Sequence, residues 1–441
     1  VEEYRLPAPM NKTAHPAITF SEALAFWLKL GFISFGGPAG QIAIMHRVLV
    51  DEKKWIEEQR FLHALNFCVL LPGPEAQKLA TYAGWLLHGV RGGLAAGILF
   101  VLPGALVMLA LSLAYALGRG MPAVEGALFG IKAAVLVIVV EALLRIGRRA
   151  LKTRFLIGVA GAAFVGIFFL DLPFPLIVAA AAVLGYATQR AAAATAVPPA
   201  PGRWRHLVIA SVTGLVLWWA PIAAVVLLLG PGHVLADIGL FFSKLAVVSF
   251  GGAYALLAYM AQQAVDTYHW MSAPEMVDGL GLAETTPGPL ILVTQFVGFL
   301  AAYRDPAPFS PVAAGIIGSA LTTWVTFVPP MTLIFAGAPF VEQLRSNQRL
   351  SGALAAITAA VVGVILNLTV WFALHVLFGN VEEVRAGPLR WYAFDPLALD
   401  LKTAALAALA AVLAFRLHRG LVELVVVMAL LGIALRFALP G

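Results

Sequence analysis

Apolar runs of eighteen residues or more recur along this chain from Leu24 to its end, separated by short polar connections. A run of that length fits a helix crossing the ~30 Å hydrocarbon layer of a bilayer. The strict apolar-polar alternation of a spanning β-barrel strand is absent, so bundled helices are predicted. The apolar segments fall near residues 22–45, 61–88, 92–118, 125–145, 154–170, 173–188, 207–230, 237–260, 276–301, 311–337, 351–379, 397–416 and 420–438. Between the sixth and seventh lies AAAATAVPPAPGR, an Ala/Pro/Gly stretch without helical periodicity that reads as a linker.

The pattern repeats itself. Residues 26–74 align without a gap on the stretch 215 positions later, and sixteen of the forty-nine pairs are identical. They include Lys29 with Lys244, Ser34-Phe35-Gly36-Gly37 with Ser249-Phe250-Gly251-Gly252, Asp51 with Asp266, Trp55 with Trp270, and Pro72-Gly73-Pro74 with Pro287-Gly288-Pro289. A second block aligns at a shift of 226, pairing Pro103 with Pro329 and Gly126-Ala127-Leu128 with Gly352-Ala353-Leu354. Shared apolar composition gives scattered Ala and Leu matches, not aligned Trp, Asp, Lys and Gly/Pro signatures. Internal duplication is the reading. Seven segments separate corresponding elements, an odd number, which inverts the second half against the first. The predicted fold is an all-α integral membrane protein of about 13 transmembrane or re-entrant segments. It comprises a cytoplasmic tail (1–20), a first repeat (21–190), a linker with a connecting transmembrane helix (191–230) and a second repeat (231–441).

Composition agrees. Charged residues are 12% of the chain and hydrophobic ones 61%, against ~25% charged in soluble domains. The single cysteine, Cys68, excludes an internal disulfide and a multi-cysteine metal site. Residues 1–19 are polar and show no signal peptide. The 29 Lys and Arg exceed the 23 acids, but they sit in short loops, the topology signal of a membrane protein rather than a nucleic-acid surface. The basic connection Arg145, Arg148, Arg149, Lys152 and Arg154, with Arg190, Arg203 and Arg205 of the linker, places the N-terminal side in the cytoplasm of a multi-pass plasma-membrane protein. The loop at 46–60, with Arg47, Lys53, Lys54 and Arg60, conflicts with simple alternation. The conflict vanishes if the first two segments are both re-entrant hairpins.

Chemistry concentrates where helices must break. GFISFGGPAGQ puts Gly36, Gly37 and Pro38 at mid-depth, with Ser34 and Gln41 beside them, and LLPGPEAQK does the same for Gly73 and Pro74. Proline at the first position of a half-helix marks an N-terminus, whose free N–H groups and dipole favour an anion. The second half repeats both breaks at Gly251, Gly252 and Gly288, preceded by Glu284, Thr285 and Thr286. Alone, each motif reads rather as close packing or a kink; two per half, duplicated in register, reverse that preference and favour a site. An ionisable group at mid-bilayer costs at least ~2.5 kcal/mol and should face a cavity or a partner. Lys29, Lys244, Glu75 and Lys78 meet that description, with Gln77 between the last two. Snorkelling is the plainer reading for Lys29 and Lys244, and a structural ion pair for Glu75 and Lys78. Glu75 is the candidate proton carrier. Glu141 and Arg145 read as a pair at the cytoplasmic edge. No metal-binding spacing, phosphate loop or nucleophile elbow is present, so neither an enzyme nor a bound cofactor is expected.

FISFGGPAGQIAIMHR with Trp55, LLPGPEAQ, GGLAAGILFVLPG, SFGGAY and TTPGPL together resemble the two-domain form of the chromate ion transporter family, over nearly the whole chain. The second half departs from the first in lacking an acidic residue after its Pro-Gly-Pro. The resemblance implies export of chromate, with sulfate as a similar oxyanion; the substrate, the bilayer and a second copy of the chain are the expected partners. Uptake of sulfate or another oxyanion, a passive anion channel, and an enzyme acting on a lipid-linked phosphate are the alternatives.

Overall fold

The computed structural model describes residues 18–35, 37–118, 120–188, 203–250, 253–338 and 348–438. The tail before residue 18, the linker at 189–202, and Gly36, Gly251 and Gly252 lie outside the described residues. The rest is almost entirely helical, as the absence of period-two patterning requires. Among the described residues, six helices are long and apolar enough to cross a bilayer: Glu75–Gly118, Pro122–Ala150, Trp204–Leu229, Pro311–Gly337, Arg349–Leu377 and Leu421–Ala438.

The first half opens with half-length helices. α1 (Phe20–Ile33) is capped by Thr19, whose side chain accepts from the Glu22 N–H. It stops at Ser34, and α2 (Gly37–His46) starts just beyond, running into a π-helical turn at Arg47–Glu52. α3 (Glu58–Leu70) stops before Pro72-Gly73-Pro74, and α4 (Glu75–Gly118) restarts after it, turning sharply at His88–Gly89. The outer ends of these pieces meet. Lys53 at the end of the α2 turn binds Glu22 of α1 at 3.1 Å, and Trp55 lies edge-on to Phe26. His46 faces Asp51 through one ring nitrogen and Glu58 of α3 through the other. His88, at the turn of α4, reaches the Ile18 carbonyl at 2.9 Å. Residues 20, 53, 58 and 88 therefore share one end of the bundle, the near face, and the stretch 20–88 forms two helical hairpins whose tips point inward. The rest of α4 then runs the full depth, packing Leu99 and Pro103 against Gly31 of α1.

α5 (Pro122–Ala150) returns from the far face. α6 (Arg154–Phe168) and α7 (Phe174–Thr188) form a shorter antiparallel pair. α8 (Arg203–Leu229) crosses alone against the outside of the second half, its Leu217 carbonyl accepting from Trp324.

The second half repeats the first in its backbone. α9 (Val234–Val247), α10 (Ala253–Gln262) with a π-turn at Gln263–Thr267, α11 (Ala273–Thr285) and α12 (Val293–Arg304) follow the order of α1 to the first part of α4. Details recur at the same shift of 215. Lys54 and His269 both take φ 52° after their π-turns, and Trp55 and Trp270 donate their N–H to Leu49 and Ala264. The outer ends again meet, here on the far face: Arg304 closes on the Trp270 carbonyl at 2.7 Å and on Glu275 at 2.6 Å. α13 (Pro311–Gly337) and α14 (Gln348–Leu377) are the long crossing pair. A β-hairpin, β1 (Val381–Ala386) with β2 (Leu389–Phe394), precedes α15 (Leu401–Ala411) and α16 (Leu421–Ala438). α16 lies along α5 where Gly126, Gly130 and Gly432 let the two backbones touch, the usual device where apolar lipid gives helices no hydrophobic reason to associate.

Candidate functional site: the crossed hairpin tips

Each hairpin tip leaves backbone groups without a helical partner, and in an apolar interior these must be satisfied by protein. They are satisfied crosswise. The Gly73 N–H donates to the Ser249 carbonyl at 2.9 Å, and the Gly288 N–H donates to the Ser34 carbonyl at 2.8 Å. Ser34 and Ser249 are counterparts, as are Gly73 and Gly288, so the two bonds are one contact made twice. The first tip of each half is thus tied to the second tip of the other. Gln41 reinforces one side, donating to the carbonyls of Gly288 (2.7 Å) and Ser34 (3.2 Å). Its counterpart is Leu256.

Glycine is required at both crossings. Gly73 has φ 104° and Gly288 φ 92°, the left-handed region that L side chains avoid. A Cβ on Gly73 would also sit 2.6 Å from Pro330 Cβ.

At the centre is a cavity of about 20 Å³ lined by Pro38, Gln41, Gly73, Pro74, Glu75, Ser249 and Pro289. That leaves room for water at the crossing. A second cavity of about 300 Å³ leads from the tips to the C-terminal end of α5. Gly37, Pro38 and Glu75 form its floor, Arg145 and Arg149 one wall, and Tyr254 and Glu284 another. The centre is closed while its near-face approach is wide.

Of the residues expected from sequence, Ser34, Pro38, Gln41, Gly73, Pro74, Glu75 and Gly288 come together at the crossing, and Gly37 joins them in the larger cavity. Gln77 and Lys78 lie just behind, fully buried. Gln77 has no hydrogen-bond partner for either amide atom. Lys78 donates to the Leu71 carbonyl, closing the end of α3. The hydroxyls of Thr285 and Thr286 are spent on carbonyls of α11. Lys29 is exposed on the outside of α1, away from the centre. Lys244 is drawn instead to a far-face pocket beside Tyr259, 5.7 Å from its ring.

Four residues of the larger cavity carry charge or polarity that the repeat pattern does not reveal. Arg145 does pair with Glu141, at 3.6 Å, but it also faces the cavity. Glu284 is buried and accepts from the Tyr254 hydroxyl at 2.9 Å. The counterparts of Tyr254 and Glu284 are Ala39 and Val69, so both are departures from the repeat. Arg149, whose counterpart at the shift of 226 is His375, is placed here by the packing of α5.

A bundle of long apolar helices around broken, mutually bonded hairpins defines a multi-pass membrane protein with a polar centre buried in its interior. The matching family is narrower than that class: the chromate transporter profile covers residues 21–186 and 236–435, and the chain belongs to that family. A chromate transport protein of Pseudomonas aeruginosa is 33% identical over 82% of this chain and 84% of its own length. A probable chromate transport protein of Synechococcus elongatus is 28% identical over 81% and 85%, and a chromate transport protein of Cupriavidus metallidurans 26% over 83% and 87%. No solved structure matches the chain.

Proposed function

We propose that the protein exports chromate, or an oxyanion of the same shape and charge, by exposing the crossed hairpin tips alternately to the two sides of the cytoplasmic membrane. The observation that carries this reading is the pairing of Gly73 with Ser249 and of Gly288 with Ser34. Four half-helix ends converge there, and a cavity edged by Arg145 and Arg149 leads to them. Helix N-termini at α2 and α4 supply N–H donors and positive dipole ends toward an anion. The arginines supply charge in a form suited to tetrahedral oxyanions.

In this reading the hairpins 20–52 and 58–88 are re-entrant from one face and 234–267 and 273–304 from the other, giving two inverted repeats joined by α8. The near face is cytoplasmic. It carries Arg47, Lys53, Lys54, Arg60, Arg91, Arg148, Lys152, Arg154 and Arg419, in keeping with the bias of basic loops. The wide approach on that face fits an inward-open state. Rocking one half against the other would break one crossed contact at a time and open the far side. A dianion moving outward gains about 4.6 kcal/mol at 100 mV, twice the ~2.3 kcal/mol per charge.

The test is chromate flux in proteoliposomes under a potassium diffusion potential. The wild type should carry saturable flux, and Arg145→Gln together with Arg149→Gln should lower it at least tenfold while insertion and melting are kept. Undiminished flux in that double variant would remove the vestibule from the route.

A further inference from the structure

α11 carries three buried carboxylates that the crossed tips do not use, Glu275, Asp278 and Glu284. Asp278 turns toward the far-face end of α5. Lys132 of α5 lies 3.2 Å away and the Tyr115 hydroxyl of α4 donates to it at 3.0 Å. Glu275, one turn earlier on α11, is held by Arg304. Lys132 in turn lines a cavity of about 660 Å³ at the N-terminal end of α5, with Glu125, Asp400, Lys402 and Arg436.

Glu284 lies six residues further along, a rise of about 9 Å, and turns the other way. It faces Tyr254 of α10, Arg145 and Glu141 of α5, and Glu75 and Arg149 across the vestibule. Between the two acids the helices close: Ile131 and Val135 of α5 press on Gly281, where a side chain would have no room. The first-half counterparts are His63 and Val69, so the pair is no by-product of the repeat. Burying two acids on one membrane helix is costly, and such groups mark ion or proton routes.

We propose that Asp278 and Glu284 are a proton-transfer pair opening to opposite faces, and that proton movement along α11 is coupled to the oxyanion moving past the hairpin tips. The inference rests on the transporter reading above. A proton from far-face water neutralises Asp278 and frees Lys132. It passes to Glu284 when the Ile131–Val135 collar relaxes, and Asp278, again anionic, re-forms its ion pair. An ionised Glu284 repels a dianion and competes with it for Arg145; a protonated one does neither. Anion binding from the near face therefore favours the protonated carboxyl. Loss of that proton to near-face water after the anion has gone resets the cycle, one proton moving inward.

The experiment uses the full chain in liposomes with a trapped pH dye, potential clamped by potassium and valinomycin, and chromate as the probe. The wild type should show chromate-dependent proton flux and faster chromate flux when the far face is acidic. Asp278→Asn should keep potential-driven chromate flux and lose proton flux at least tenfold. Glu284→Gln should lose proton flux as well, with chromate affinity no longer dependent on pH. Where Glu284→Gln does not insert, Tyr254→Phe, which removes the hydrogen bond to that carboxylate, should shift the pH midpoint of coupled flux. Full chromate-driven proton flux in Asp278→Asn, or an unmoved midpoint in Tyr254→Phe, overturns the proposal. A wild type that carries no chromate under potential alone overturns the transport reading beneath it, and that control tells the two failures apart.

Discussion

At Gly73 and Gly288 the chain does what an ordinary residue resists: it turns left-handed at the point where two broken helices touch. Alanine at either position would meet a backbone penalty of about 1–2 kcal/mol, and at Gly73 a clash with Pro330 as well. Gly73→Ala should therefore cost more stability than Gly288→Ala, and both should abolish chromate flux in everted vesicles. Equal melting temperatures for the two would separate the Pro330 contact from the strain. Lys78 teaches a different lesson. Its spacing from Glu75 reads as an ion pair, yet its ammonium donates to the Leu71 carbonyl just past the end of α3, where helix ends leave carbonyls that need a partner from outside the helix.

Among the elements, the β-hairpin is the one that no helical periodicity announces. Its basic side chains grip the turn between α6 and α7. Arg390 is buried, 2.8 Å from Asp171, and also donates to the Ile167 carbonyl; Arg385 reaches Asp171 at 2.7 Å. Asp266, in the outer turn after α10, shares that polar pocket. Burial first, and then the neighbouring Glu383, push its carboxyl up to about 6 against the opposing effect of Arg390. A carboxyl whose pKa is higher folded than unfolded binds more protons in the folded state, so stability falls as pH rises from about 4 to 6. Protection of the 381–394 segment from protease should weaken over that interval in the wild type and stay flat in Asp266→Asn. An identical pH dependence in both would show that Asp266 is not the titrating group.

For the whole molecule, the decisive feature is that residues 20, 53 and 88 lie at one end while 233, 270 and 307 lie at the other: Lys53–Glu22 and His88–Ile18 gather the first set, Arg304–Trp270 and His233–Ala307 the second, and α4 runs from His88 to Tyr115, which bonds Asp278 beside the Glu275–Arg304 pair. Single cysteines at Lys54 and Arg148 should react with an impermeant thiol reagent from the cytoplasmic side only, and one at Lys402 from the opposite side only. Cys68 is fully buried and stays silent. Labelling of Lys54→Cys from outside would make the first hairpin a true crossing and undo the inverted arrangement.

The sequence alone determined that the protein lives in a membrane, that it is helical, that it is built twice, and that its helices break at Gly/Pro pairs. Each of these is written locally, in run length, in periodicity, or in residues that the backbone needs at one point. The resemblance to the chromate transporters rests on the same local signatures, which is why the family match agrees with it. Which tip pairs with which was beyond local reading, since Ser34 meets Gly288 across more than half the chain. So was the placement of Arg145, Glu284 and Tyr254 around one cavity, and the exposure of Lys29 despite its symmetry with Lys244. Those follow from how helices rotate and cross when they pack, and rotation depends on neighbours far away in the chain rather than on the residues that form the helix.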